Sequence, residues 1–175
     1  MYFSGCRCRS ERILKHVLPI CIMDKGRVYL GSDHAGFMLK KSLERFLEQE
    51  GYVAKDLGPF ELNADDDYPD YAEKVCRMVK KDKAKGILIC GSGQGMDRAA
   101  NKMRGIQASV CWNKKSAMSA KKHGNVNVLC LGEQMVSKRM AERIVRIWLE
   151  EPFRNEARHL RRIRKTERLG AGVKK

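Results

Sequence analysis

Long apolar runs are missing from this chain of 175 residues: nothing in it approaches the roughly 20 consecutive apolar positions of a membrane-crossing helix. A composition of 43% hydrophobic and 33% charged residues suits a soluble globular protein, and the length suits one core with modest extensions. The longest apolar stretch near the start, Val17 to Met23, is broken by Pro19 and is short for a secretory signal, so no export signal is expected. Cys6 and Cys8 lack a second pair of ligands at zinc-site spacing, which leaves surface thiols as the better reading of that C-x-C pair. The dinucleotide fingerprint G-x-G-x-x-G and a P-loop lysine are also absent, which argues against a nicotinamide cofactor.

Cysteine itself is not scarce. There are seven, an odd number, and Cys76, Cys90, Cys111 and Cys130 fall within apolar or helical runs, which predicts reduced thiols and a cytoplasmic setting. The formal net charge of +15 raises the question of a nucleic-acid partner. Its distribution answers against one. Nine Lys or Arg against two acids lie between Arg154 and Lys175, so about half of the excess is a tail, and that tail has few aromatics and no recognition motif.

Residues 1–26 show no sustained pattern and read as a poorly ordered extension, with Met23-Asp24-Lys25-Gly26 resembling a second natural start. From there the pattern becomes regular. Short apolar strands at Val28–Leu30, Tyr52–Leu57, Gly86–Cys90, Ile106–Cys111 and Val126–Leu131 alternate with helical periods over Ala35–Gln49, Pro69–Lys80, Met96–Met103, Ser116–Lys122 and Ser137–Leu149. Strict alternation predicts an α/β fold: a single Rossmann-like three-layer domain over 27–153, with a five-stranded parallel sheet and helices on both faces. Residues 154–175 then form a basic helix and tail. Ligands of such sheets sit beyond the carboxyl ends of the strands, so the residues that follow each strand are the candidates.

After the third strand comes Cys90 and the turn Gly91-Ser-Gly-Gln-Gly95. Such a turn gathers backbone N–H groups at a helix start without side chains in the way, which suits an oxyanion, although a merely tight turn would need the same small residues. Cys90 precedes it, beside an electropositive helix terminus where a thiolate base can operate. A small buried hydrophobe is the alternative there, and it is the preferred reading for Cys111 and Cys130. Asp33-His34 after the first strand is a polar pair where a plain turn could use Asn or Gly. His123 is expected at the active edge or its rim. Arg158, Arg161 and Arg162 share one helix face and can meet an anion together, although a solvated basic helix is the alternative.

Several stretches in register resemble one family: Gly31-Ser-Asp-His-Ala-Gly-Phe37, Asp67-Tyr-Pro-Asp-Tyr-Ala72, Gly86-Ile-Leu-Ile-Cys-Gly-Ser-Gly93, Ala99-Ala-Asn-Lys102, Asn127-Val-Leu129 and Arg158-His159. The chain from about Val28 to Ile163 is similar to ribose-5-phosphate isomerase type B and the galactose-6-phosphate isomerase subunits. The resemblance implies aldose–ketose isomerisation of a sugar phosphate through a cis-enediol, without metal or organic cofactor, in a homodimer (or a dimer of dimers) whose sites are completed by the partner. By matching position, Cys90 resembles the proton-shuttling base, with Met96 where another branch carries an acid. Ser92 and the turn amides, including Gly91, Gly93 and Gly95, would hold the enediolate oxygen, and Asp33 would contact sugar hydroxyls. His123 resembles the histidine of ring opening; His34, Arg158 and Arg162 resemble phosphate ligands; Tyr68 would line the pocket. Two positions depart from the pattern: Gly124 stands where Asn is usual and Gln134 where Arg is common, with Arg161 as the candidate to compensate. Ribose 5-phosphate is the leading substrate; a hexose 6-phosphate or a non-catalytic role are the alternatives.

Overall fold

The computed structural model describes residues 25–169, so most of the expected N-terminal extension and the last six residues of the tail lie outside the described part. Five strands, β1 (Arg27–Ser32), β2 (Val53–Asp56), β3 (Lys85–Cys90), β4 (Ala108–Val110) and β5 (Val128–Gly132), form one parallel sheet in the order β2-β1-β3-β5-β4. Six α-helices accompany them among the described residues: α1 (Phe37–Gln49), α2 (Tyr68–Asp82), α3 (Gln94–Ala100), α4 (Lys114–Gly124), α5 (Lys138–Glu150) and α6 (Ala157–Arg168). None is long and apolar enough to cross a membrane.

The fully apolar strand β3 shows why the sheet is covered on both sides. Its side chains alternate, so Ile87 and Ile89 enter one core with Leu39, Leu43 and Leu47 of α1 and Ile144, Val145 and Trp148 of α5. Leu88 and Cys90 enter the other, with Val75, Cys76 and Val79 of α2 and Met96 and Ala100 of α3. Trp148 is fully buried and donates its indole N–H to the Val126 carbonyl at 3.1 Å, which satisfies the one polar atom of a large apolar side chain.

Helix starts follow local chemistry. Asp33 caps a short 3-10 turn (His34–Gly36) ahead of α1 by accepting from the Gly36 amide at 3.1 Å. Asn113 and Ser116 form a reciprocal capping box at α4. Ser137, expected as the first residue of its helix, is instead the cap of α5 and accepts from the Met140 amide. One charged side chain is wholly enclosed: the Lys40 ammonium of α1 reaches Asp56 and the Pro59 carbonyl, each at 2.6 Å. Burial holds its pKa below the ordinary lysine value, against the pull of Asp56. That contact ties the end of β2 and the following loop to the first helix.

The expected strand at 106–111 shortens to three residues. As an edge strand, β4 pairs only with β5, and the Ile106 amide turns back to the Met103 carbonyl. The expected helix at 96–103 starts two residues earlier and ends at Ala100.

Candidate active site

In this strand order the chain runs from β1 outward to β2 and then crosses back past β1 to β3, so the order reverses between the carboxyl ends of β1 and β3. Asp33-His34 and Cys90 leave those two ends. Ser32 pairs with Ile89, and the Asp33 amide donates to the Ile89 carbonyl at 3.2 Å, which stitches the two exits together.

Cys90 has only 5% of its surface accessible and sits at the top of the α2–α3 core, a sulfur at the lip of the core. The Gly93 amide donates to its Sγ at 3.1 Å and so aims it. Gly93 adopts φ +81°, a left-handed conformation that a side chain would resist, and an added Cβ would stand 3.0 Å from the Leu131 carbonyl carbon. Ser92 Oγ accepts from the Gln94 amide at 3.4 Å. Two amides of the 91–95 turn are therefore committed inside it. The Tyr68 ring lies against Gly95, where an added Cβ would be 3.0 Å from the ring, and the Gln134 amide lies over Gly91 in the same way at 3.4 Å. The Gln134 side chain thus reaches the turn that carries Cys90.

Asp33 is 7% exposed, and burial raises its carboxyl pKa, partly offset by the Gly36 amide and His34. His34 is more open. Its Nδ1 lies 2.7 Å from Asp66 Oδ1, which also accepts from the His34 amide at 3.0 Å. This carboxylate bond raises the imidazole pKa above its ordinary value, against a smaller opposing effect of burial. Sequence reasoning passed over Asp66; its signal was only an acid in an Asp-rich loop.

The other candidates lie elsewhere. α4 carries the chain back from the carboxyl end of β4 to the start of β5, so His123 in its last turn stands at the amino edge of the sheet, not at the active edge or its rim as expected. It lines an open cavity of about 600 Å³ with Arg158, His159 and Arg162 of α6 and with Gln107, Ser109 and Val126 at the strand starts. Hence His34 and the two arginines, expected together on one phosphate, are on different edges of a single chain. Arg161 does not line that cavity. His159, quoted only as part of a motif, is 6% exposed and places Nε2 3.2 Å from His123 Nδ1 and 3.5 Å from Glu156.

The remaining described thiols are enclosed. Burial pushes Cys76 up to about 12 and Cys111 up to about 11, and raises Cys130 well above the ordinary thiol value.

A parallel α/β sheet that gathers an acid, a histidine and an aimed sulfur at its reversal defines a three-layer protein with a candidate site at its strand ends. The chain belongs to the Ribose/Galactose Isomerase family, whose pattern matches residues 28–166. It is 40% identical over 138 residues to ribose-5-phosphate isomerase B of Mycolicibacterium paratuberculosis, covering 78% of this chain and 87% of the relative. The Escherichia coli enzyme of the same name is 37% identical, over 78% and 91% of the two chains. Among solved structures, ribose-5-phosphate isomerase B from Mycoplasma genitalium with bound ribulose 5-phosphate superimposes with a TM-score of 0.81 at 38% identity, covering 86% of this chain and all of that one. The type B enzyme of Trypanosoma brucei gives 0.79 at 39% identity, over 84% and 99%.

Proposed function

We propose that this chain interconverts ribose 5-phosphate and ribulose 5-phosphate as an aldose–ketose isomerase acting through a cis-enediol. The observation that carries the reading is Cys90 Sγ held by the Gly93 amide at the strand-order reversal, beside Asp33 and His34. With the sugar open, the Cys90 thiolate takes the C2 proton, the C1=C2 bond forms, and the carbonyl electrons move onto O1. The amides of Gly91, Ser92 and Gly95 and the Ser92 hydroxyl stabilise that oxygen. The thiol then returns the proton to C1 as O1 gains a proton and O2 loses one, which leaves the ketone at C2. Asp33 holds the sugar hydroxyls, Tyr68 walls the pocket and His34, whose cation Asp66 favours, meets the phosphate.

His123, Arg158 and Arg162 enter this site from a second copy of the chain. In a two-fold dimer the amino-edge cluster of one subunit completes the carboxyl-edge cluster of the other. The ring opens when the proton of the hemiacetal hydroxyl is passed through solvent to the ring oxygen as the bond from C1 to that oxygen breaks, and His123 hydrogen-bonds to that oxygen as it takes on charge. Gln134, standing where the family commonly has Arg, lies over Gly91 and brings one charge fewer to the site, and a hexose 6-phosphate is the competing substrate. Four unpaired cysteines among the described residues support a reducing, cytoplasmic setting.

The test is the purified protein on ribose 5-phosphate and on allose 6-phosphate, with and without Cys90→Ala. The expected result is a preference for the pentose in kcat/KM and a fall in kcat of about 10²- to 10⁴-fold in the variant. An undiminished variant would remove the mechanism, and a preference for allose 6-phosphate would move the substrate to the hexose.

A further inference from the structure

Outside the strand-end site, Glu156, His159 and His123 form a cluster of titratable side chains. Glu156 precedes α6 and accepts from Arg158 Nε at 2.8 Å. Its carboxylate lies 3.5 Å from His159 Nε2, and that nitrogen lies 3.2 Å from His123 Nδ1. The two rings stand 4.6 Å apart, tilted by 35°. We propose that His159 is a positioning residue: Glu156 fixes its Nε2–H tautomer, and His159 in turn fixes His123 with its proton on Nε2, so that His123 meets the sugar as a hydrogen-bond donor. This rests on His123 serving ring opening, as proposed above.

The argument is one of proton accounting. A neutral imidazole carries one N–H and one bare nitrogen. If His159 Nε2 were bare, its lone pair would lie beside a carboxylate oxygen, which can only accept, on a ring that is itself only 6% exposed. With the proton there, Nε2–H is attracted to Glu156 and donates to His123 Nδ1. Burial and the nearby Arg158 guanidinium hold the His159 pKa below its ordinary value, which keeps that ring neutral. His123 Nδ1 must then accept, and the single proton of a neutral His123 goes to Nε2. Together with the guanidinium groups of Arg158 and Arg162 in the same cavity, this turns N–H groups from three side chains toward a ligand rich in oxygen.

The chain has four histidines, so their ring nitrogens can be resolved by long-range proton–nitrogen NMR in the intact protein. The expected spectrum has His123 protonated at Nε2 and bare at Nδ1. In His159→Leu the two tautomers of His123 mix and kcat falls by about tenfold or more with KM within about twofold, whereas His159→Gln, whose amide N–H can stand where Nε2–H stood, stays within about threefold of the parent. A parent protein with His123 protonated at Nδ1, or a Gln variant as impaired as the Leu variant, overturns the relay. His123→Ala separates the two ideas: full activity there overturns the ring-opening role, while the tautomer spectrum still decides the relay.

Discussion

The carboxyl edge and the amino edge of the sheet hold the two halves of the proposed site, and they are built differently. At the carboxyl edge the chemistry hangs on backbone: Cys90 is aimed by an amide of its own turn, and Asp33 doubles as a helix cap. At the amino edge it hangs on side chains of two helices, with His123 held by His159 and the arginines borne on α6. The contrast follows from what each half must do. Proton transfer at carbon needs a base fixed within fractions of an ångström, which strand ends of a buried sheet provide. Gripping a phosphate and a ring oxygen tolerates longer, jointed arms, and those can come from another subunit.

The largest effect should come from mixing. Cys90→Ala and His123→Ala are each expected to be nearly inactive alone, yet random mixed dimers should recover about a quarter of parental activity, because each heterodimer keeps one site with both native halves. No recovery after exchange of subunits would return both groups to one chain and dissolve the contrast. A second experiment divides the chemistry. Ribulose 5-phosphate cannot close a furanose ring through its phosphorylated O5, so enediol formation from it needs no ring opening. His123→Ala should therefore still incorporate solvent deuterium at C1 of ribulose 5-phosphate while converting ribose 5-phosphate about 10²-fold more slowly, whereas Cys90→Ala should lose both. Equal loss of exchange in the two variants would merge the roles.

The smallest effect concerns pH. Asp66 holds the His34 pKa above its ordinary 6.5, so the cation persists to higher pH than on a free imidazole. In Asp66→Asn that support is gone and His34 discharges at lower pH. KM for ribose 5-phosphate should then rise about three- to tenfold over the parent near pH ~7.5, with the ratio close to one near pH ~5.5, where both proteins carry the charge. A ratio independent of pH would deny His34 its part in binding the phosphate.

Much of the carboxyl edge was legible in the sequence. The apolar run ending at Cys90 announces a strand buried on both faces, and a polar pair or a glycine-rich turn after such a strand has few other uses. The amino edge was misread for a topological reason. A crossover helix between parallel strands ends where the next strand begins, so a histidine three residues before Val126 belongs to the far edge of the sheet, and only tracing the direction of α4 reveals it. Asp66 and His159 were hidden differently. Each touches another side chain, and nothing in the sequence says which of several acids or histidines will lie 2.7 or 3.2 Å from it. The trimmed ends of β4 reflect its place at the margin of the sheet, which residue preferences do not encode.

The chain has two tryptophans, and the fold puts them in opposite surroundings: Trp148 is fully enclosed, while Trp112, just past the end of β4, is 56% exposed. Their fluorescence is therefore a pair of built-in optical reporters. The blue emission of the enclosed indole gives way to red only when the core opens, while the exposed indole registers whatever comes to cover the carboxyl rim, so melting and assembly can be followed separately without attaching a dye.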